Sequence, residues 1–280
     1  MRRISDAFAV LFVLWLGTPL QAKETVVDPA ESAARFRNAK TTTDAKVGKH
    51  AVVFDVPPGR RSFHALSLKD VPIDLSEHAG LAFWWKAKGT GLASLTLKLW
   101  FPTLHEGREL VFPVWDRSDG PLPEGWIPAL VNFSEGIGPR GNPGTLRLIE
   151  FRARADVDAD VRLLIDHVVA LPGTFRLRID NPRRDAGNWV APIEFTCDGR
   201  ENLVIDYGVE ALAKTVSLPP GKTVTTSLPL PVDEAALTAL RPLESLPMDV
   251  WAQIRGEDVT RVQRIVRLIN PLVLPPHPRL

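Results

Sequence analysis

Leu81-Ala82-Phe83-Trp84-Trp85-Lys86-Ala87 and Leu95-Thr96-Leu97-Lys98-Leu99-Trp100-Phe101 alternate apolar with polar or aromatic residues. Period two is the geometry of a strand, whose successive side chains point to opposite faces of a sheet. Leu81, Phe83, Trp85 and Ala87 are therefore expected to face a core, as are the three leucines and Phe101 of the second run. Ala82, Trp84 and Lys86 then face outward, and so do Thr96, Lys98 and Trp100. Ile149-Glu150-Phe151-Arg152-Ala153-Arg154-Ala155 reads the same way, with Glu150, Arg152 and Arg154 outward.

If these strands share a sheet, its outer face carries two tryptophans among lysines, arginines and a glutamate. Such a face suits a sugar: an indole stacks on the C–H side of the ring, and charged side chains hydrogen-bond its hydroxyls. Large apolar groups rimmed by polar ones mark interaction surfaces in general. Trp84, Lys86, Lys98, Trp100, Glu150 and Arg152 are accordingly the candidate ligand-binding residues. Tryptophan is usually well buried, so Trp84 and Trp100 equally suit a position beneath a covering loop or a second domain. Trp115 and Trp126 lie in turn-rich stretches, where they suit a loop-borne site or a loop anchor. Trp189 and Trp251 are expected in a second core.

The rest of the chain is strand-like too. Residues 51–56, 109–114, 128–133, 148–155 and 161–171 read as strands, broken by 25 prolines and 19 glycines. Helix is expected only at 31–39 and at 234–240, the latter with Asp233 as N-cap. A boundary falls near Leu171-Pro172-Gly173. About seven further strands follow in about a hundred residues, the pattern of an immunoglobulin-like sandwich. The expected fold class is all-β, an N-terminal jelly-roll sandwich followed by a C-terminal immunoglobulin-like sandwich. The domains would be a signal peptide at 1–22, the jelly roll at 23–172, and the second sandwich with an extended, proline-rich tail at 173–280.

Composition bounds the function. Apolar residues are 45% and charged residues 24% of the 280, which suits a chain with a real core. Arg2 and Arg3, the apolar Ala7 to Leu16 and Leu20-Gln21-Ala22 form a signal-peptide pattern, too short to span a bilayer. Export to a secreted or periplasmic location is expected, with no membrane span after the signal is removed. Cleavage takes away two arginines and one aspartate, so the formal charge falls from +1 to zero. A neutral chain has no electrostatic footprint for nucleic acid. Cys197, the one cysteine, alternates with Ile193 and Phe195 and is expected to be buried and inert.

Catalytic motifs are not legible. Gly136-Ile137-Gly138-Pro139-Arg140-Gly141 fits the dinucleotide fingerprint literally, but Pro139 and Pro143 oppose the helix that the fingerprint needs. His105-Glu106-Gly107-Arg108-Glu109 ends in Glu where a zinc-protease helix needs His. The remaining histidines stand alone in sequence. Asn132-Phe133-Ser134 is a formal glycosylation sequon.

A longer succession carries a resemblance. Ile73-Asp74-Leu75-Ser76-Glu77-His78-Ala79-Gly80-Leu81-Ala82-Phe83-Trp84-Trp85-Lys86 precedes Leu95-Thr96-Leu97-Lys98-Leu99. Gly125-Trp126-Ile127-Pro128 and Leu148-Ile149-Glu150-Phe151 follow, and Leu164-Ile165-Asp166-His167-Val168 closes the series. Over residues 45 to 172 this resembles the galactose-binding-like jelly-roll domains found among carbohydrate-binding modules. The resemblance implies a glycan ligand and no catalytic residue. It also implies a structural calcium near the ends of the first and last strands, to which Asp166 would contribute; no cofactor is otherwise expected. His167 stands where the family often has Asn. The leading expectation is an exported, non-catalytic polysaccharide-binding protein. The alternatives are an adaptor in an exported assembly, docking a protein partner on the same face, and a glycan-active hydrolase or lyase on the jelly-roll scaffold.

Overall fold

The computed structural model describes residues 24–67, 72–101, 109–137, 144–241 and 244–269, with 61–65 described by backbone alone. The expected signal peptide, most of the His105 to Glu109 string, the Gly138 to Gly141 half of the glycine-rich string and the proline-rich tail lie outside the described residues.

The first half of the chain comprises β1 (Thr25–Asp28), β2 (Lys40–Thr42), β3 (Ala51–Val56), β4 (Arg61–Ser67), the short β5 (Ile73–Asp74), β6 (Gly80–Trp100), β7 (Glu109–Asp116), β8 (Ile127–Asn132), the short β9 (Thr145–Leu146) and β10 (Leu148–Leu171). The runs expected as separate strands at 81–87 and 95–101 are one strand, β6, and those at 148–155 and 161–171 are one strand, β10. These two pair antiparallel from Leu148 with Trp100 to Leu171 with Gly80.

This ribbon folds back on itself. Phe151 pairs within the sheet near Leu97, fourteen residues from Phe83, so a straight ribbon would hold the two phenylalanines about 46 Å apart. Their ring centroids are 5.3 Å apart, edge to face. The half of the ribbon near Phe83 belongs to a layer with β2, β3 and β8; the half near Phe151 belongs to a facing layer with β4 and β7. Leu81, Phe83 and Trp85 meet Leu95, Leu97, Leu99 and Phe151 in one core, as alternation predicts. The result is a jelly-roll β-sandwich.

The ladder is interrupted at residues 156–159 of β10, and beside this break Gly89 has a φ of +91°, with a Cβ there standing 1.6 Å from the Asp160 carbonyl oxygen. Only glycine allows both the left-handed backbone and that approach. At the edge, Phe133 donates its N–H to Ala79 at 2.9 Å. By alternation Pro128, Leu130 and Asn132 then direct their backbone groups away from β6. Pro128 is tolerated because its missing N–H lies on that free edge.

The expected helix at 31–39 is only a 3₁₀ turn, Ala33–Arg35. Phe36 leaves it in extended conformation, bridges Leu66 and is buried in the core, so tertiary burial overrides the local pattern.

The second half comprises β11 (Gly173–Ile179), β12 (Arg183–Asp185), β13 (Asn188–Gly199), β14 (Leu203–Val209), β15 (Leu212–Leu218), β16 (Thr223–Pro229), helix α1 (Glu234–Thr238), β17 (Leu246–Ile254) and β18 (Val262–Leu268). One sheet places β13 between β11 and β16; the other runs β15, β14, β17, β18. Between them lies a second core in which Phe195 and Tyr207 rings are 5.1 Å apart. Asp233 caps α1, accepting from the Ala235 N–H at 2.9 Å. Cys197 is buried beside Ile193 and Phe195, and burial pushes its thiol pKa up, as an inert thiol requires. Trp189 packs partly against this core. Trp251 does not: it lies on the outer face of β17, with the Arg261 guanidinium 4.6 Å from its ring centroid.

Gly89→Ala should cost several times more stability than Gly125→Ala, which shares a positive φ but has no atom within 4 Å of its added Cβ. Strain alone costs about 1–2 kcal/mol at Gly125, and the clash adds to it at Gly89. Urea unfolding of both variants checks this, and equal losses would show that the approach of Gly89 to Asp160 does not constrain the ribbon.

Candidate functional site

Folding the ribbon separates the residues that alternation grouped. Both layers turn their inner faces to one core, so Trp84 and Lys86 lie on the outside of one layer, and Lys98, Trp100, Glu150 and Arg152 on the outside of the other. The two tryptophans do not share a face.

Trp84 is covered, with 7% of its surface exposed. It packs with Ala82, Val169 and Leu171, and with Val259 from a 3₁₀ turn of the second sandwich, Asp258–Thr260. Trp126 and Leu130 flank the cluster. Residues 44–47 lie across the same face. The Lys46 ammonium sits 4.6 Å from the Trp84 ring centroid, and Asp44 holds Lys86 at 3.0 Å and Lys88 at 2.7 Å. The hydrogen bond from Lys88, together with that from Lys86, holds the Asp44 carboxyl below its ordinary pKa against the cost of burial. Lys86 is thus engaged within the fold.

The other face differs. Trp100 is 38% exposed, beside Leu148 on β10 and Glu109 on β7. One rung along, Lys98 lies between Glu150 and Val111; the next places Thr96 between Arg152 and Pro113. Lys98 forms an ion pair with Glu109, and Arg152 donates to Glu150 at 2.6 Å. Lys98 is almost wholly buried, and pairing is what makes such a charge tolerable there. Four of the six candidates therefore share one surface, with Glu109 as a polar neighbour that alternation within β6 and β10 did not reveal. Trp115 is a core residue of β7, its ring 6.4 Å from Trp85.

Asp166 lies opposite Trp84, fully buried beneath residues 44–47. Its Oδ2 accepts backbone N–H bonds from Lys46 at 2.7 Å and Val47 at 2.9 Å. Calcium takes about six to eight oxygen ligands. Here N–H donors occupy Oδ2, Oδ1 is a lone buried oxygen, and no cluster of three or more Asp, Glu, His or Cys exists among the described residues to complete a ligand set. The residues present do not fit the calcium that the resemblance implies. The adjacent His167 has a φ of +48°, a conformation that Asn and His adopt more readily than most side chains, which accounts for either residue at this point.

No family model matches the chain, and no curated protein matches it. Among solved structures, the chain is similar to a family 11 carbohydrate-binding module from Clostridium thermocellum in complex with a β-1,3-1,4-mixed-linked tetrasaccharide, at 14% identity and TM-score 0.39, covering 52% of this chain and 94% of that one. A family 61 module in complex with β-1,4-galactotriose matches at 15% identity and TM-score 0.34, over 53% and 98%. The glycoside hydrolase domain of Endo-D from Streptococcus pneumoniae matches at 11% identity and TM-score 0.33, over 88% of this chain and 37% of that one. No helix among the described residues is long and apolar enough to cross a membrane.

Burial holds the Asp166 carboxyl above its ordinary pKa, despite the two N–H donors that pull it down. Between the ordinary and the raised value the folded state binds more protons than the unfolded chain, so stability falls as pH rises through that window. Asp166→Asn removes the buried charge and keeps an oxygen for both donors. The stability of this variant relative to wild type should grow as pH rises above about 4, the ordinary aspartate value, in urea titrations. A difference independent of pH would remove Asp166 from the account.

Proposed function

We propose that the first sandwich is a non-catalytic glycan-binding domain whose ligand lies on the outer face of the layer formed by β4, β10, β6 and β7. The observation that carries this reading is Trp100, exposed on that face beside two fixed ion pairs. The indole offers a flat apolar surface to the C–H side of a sugar ring. Lys98 and Arg152 donate to hydroxyls while Glu109 and Glu150 accept from them. Because Lys98 and Arg152 each already face a carboxylate, the surface beside Trp100 is locally neutral and suits an uncharged polysaccharide.

In this reading the domains are 23–172 and 173–280, and the N-terminal signal pattern directs export to the cell exterior or periplasm. The placing of β13 between β11 and β16, facing β15, β14, β17 and β18, supports an immunoglobulin-like second domain. The adaptor alternative draws on the burial of Trp84 against Val259, but that contact is satisfied within the chain. The hydrolase or lyase alternative has less support, because Glu109 and Glu150 are both held by cations.

Titration of the signal-free protein with neutral soluble polysaccharides tests the proposal. Trp100→Ala should weaken binding at least about tenfold, equivalent to about 1.4 kcal/mol, while the domain keeps its melting temperature nearly unchanged. Trp84→Ala should instead cost about 3–5 kcal/mol of stability, as loss of a buried tryptophan does, with affinity retained by the folded fraction. Wild-type affinity in a folded Trp100→Ala protein would rule this face out.

A further inference from the structure

Between the two sandwiches lies a cleft of about 300 Å³ that neither core fills. Trp115, Pro128 and one carboxylate, Glu135, line it from the first sandwich, and three arginines, Arg176, Arg261 and Arg264, from the second. The electrostatics differ from those of the Trp100 face. Arg176 is held by Asp198 at 2.8 Å, but Arg261 and Arg264 have no carboxylate within ion-pairing distance among the described residues. Arg264 donates Nη1 to the Gln263 carbonyl, at 3.0 Å. Arg261 is held in place by stacking on Trp251, and its buried Nε lacks a hydrogen-bond partner.

Asn132 also lines the cleft and is buried. Its Nδ2 donates to Glu135 at 2.7 Å and to the Phe175 carbonyl at 3.3 Å, which fixes the orientation of the amide. Its Oδ1 is then a buried acceptor with no donor. Unmatched buried polar atoms are rare and call for an occupant. Two of them, in a lining where two guanidinium groups without an ion-pair partner among the described residues outnumber the one Glu135 carboxylate, describe a site for a ligand that has both carboxylates and hydroxyls.

We propose that this cleft binds an acidic oligosaccharide, a chain of uronic acids, at a site separate from the Trp100 face. The planar guanidinium forks of Arg261 and Arg264 match carboxylates two bonds at a time. Asn132 Oδ1 accepts from a ring hydroxyl, and Trp115 with Pro128 provides an apolar wall for the C–H faces. That the ligand is a sugar rests on the glycan-binding reading above; that it is anionic rests on the arginines alone.

The experiment is calorimetric titration of the full chain with oligogalacturonate and with the same oligomer fully methyl-esterified. The acid form should bind, and the uncharged ester should bind at least about tenfold more weakly. Arg261→Gln and Arg264→Gln should each weaken the acid form by about tenfold, the scale of one lost charged hydrogen bond. Arg178→Gln, an exposed arginine on β11 outside the cleft, should leave it unchanged. Thermal melts confirm that each variant is folded. Equal affinity for acid and ester, or folded Arg261→Gln and Arg264→Gln proteins that bind like wild type, would overturn the inference. Neutral polysaccharide bound through Trp100 without arginine-dependent binding of oligogalacturonate overturns the cleft site alone. Equal, arginine-dependent binding of poly-glutamate overturns the sugar assignment in favour of an acidic protein segment along the free edge of β8.

Discussion

The close antiparallel pairing of β6 with β10 is the constraint on which the first sandwich depends. Two strands of 21 and 24 residues stay paired through both layers, so the layers cannot slide independently. Near the fold-back the two strands crowd each other at two glycines, Gly89 against the Asp160 carbonyl and Gly91 against Ala159. The fold-back brings Phe83 to Phe151 and closes the core. It also decides which surfaces exist. Residues that face outward at the two ends of one strand end on opposite sides of the molecule, and this alone separates Trp84 from Trp100.

Once separated, the two tryptophans have different fates. Trp84 is covered by residues 44–47 and by Val259 of the second sandwich. The covering segment acts through several modest contacts: two N–H bonds to Asp166, an ammonium over the indole, and a carboxylate between two lysines. None is large alone, since exposed ion pairs contribute about 1 kcal/mol or less. Together they place a buried carboxylate and an indole under one short stretch of chain. The second sandwich adds Val259 to the same patch, and Asn132 reaches across to the Phe175 carbonyl. The relation between the sandwiches thus depends on outer-face residues of the first.

Much of this was legible in the sequence. Alternation gave the inward residues of β6 and β10 correctly, placed Cys197 with Ile193 and Phe195, and Asp233 signalled α1. The fold-back was hidden. The runs at 81–87 and 95–101 read as two strands, and the glycines between them do not distinguish a turn from a fold-back of one ribbon whose pairing lapses at residues 156–159 of β10. Coverage was hidden as well, because an outward tryptophan has the same alternation whether solvent or another sandwich lies above it. The expected helix at 31–39 failed through a long-range contact, Phe36 with Leu66, that no local pattern reports. Lys86 and Lys98 looked equivalent in sequence; their partners, Asp44 and Glu109, lie 42 and 11 positions away.

Charge pairing gives the two candidate surfaces different chemistry. On the Trp100 face the cations and carboxylates are matched within the fold, so a ligand meets oriented dipoles with little net field. Recognition there must come from shape and hydroxyl geometry and depend weakly on salt. In the cleft between the sandwiches, Arg261 and Arg264 have no such partners among the described residues, and the anion of the proposed site would supply that charge. That attraction is screened over a Debye length of about 8 Å at physiological ionic strength. A chain whose formal charge is only +1 can therefore carry one surface suited to uncharged ligands and another suited to anions, because net charge describes the sum and binding reads the local arrangement.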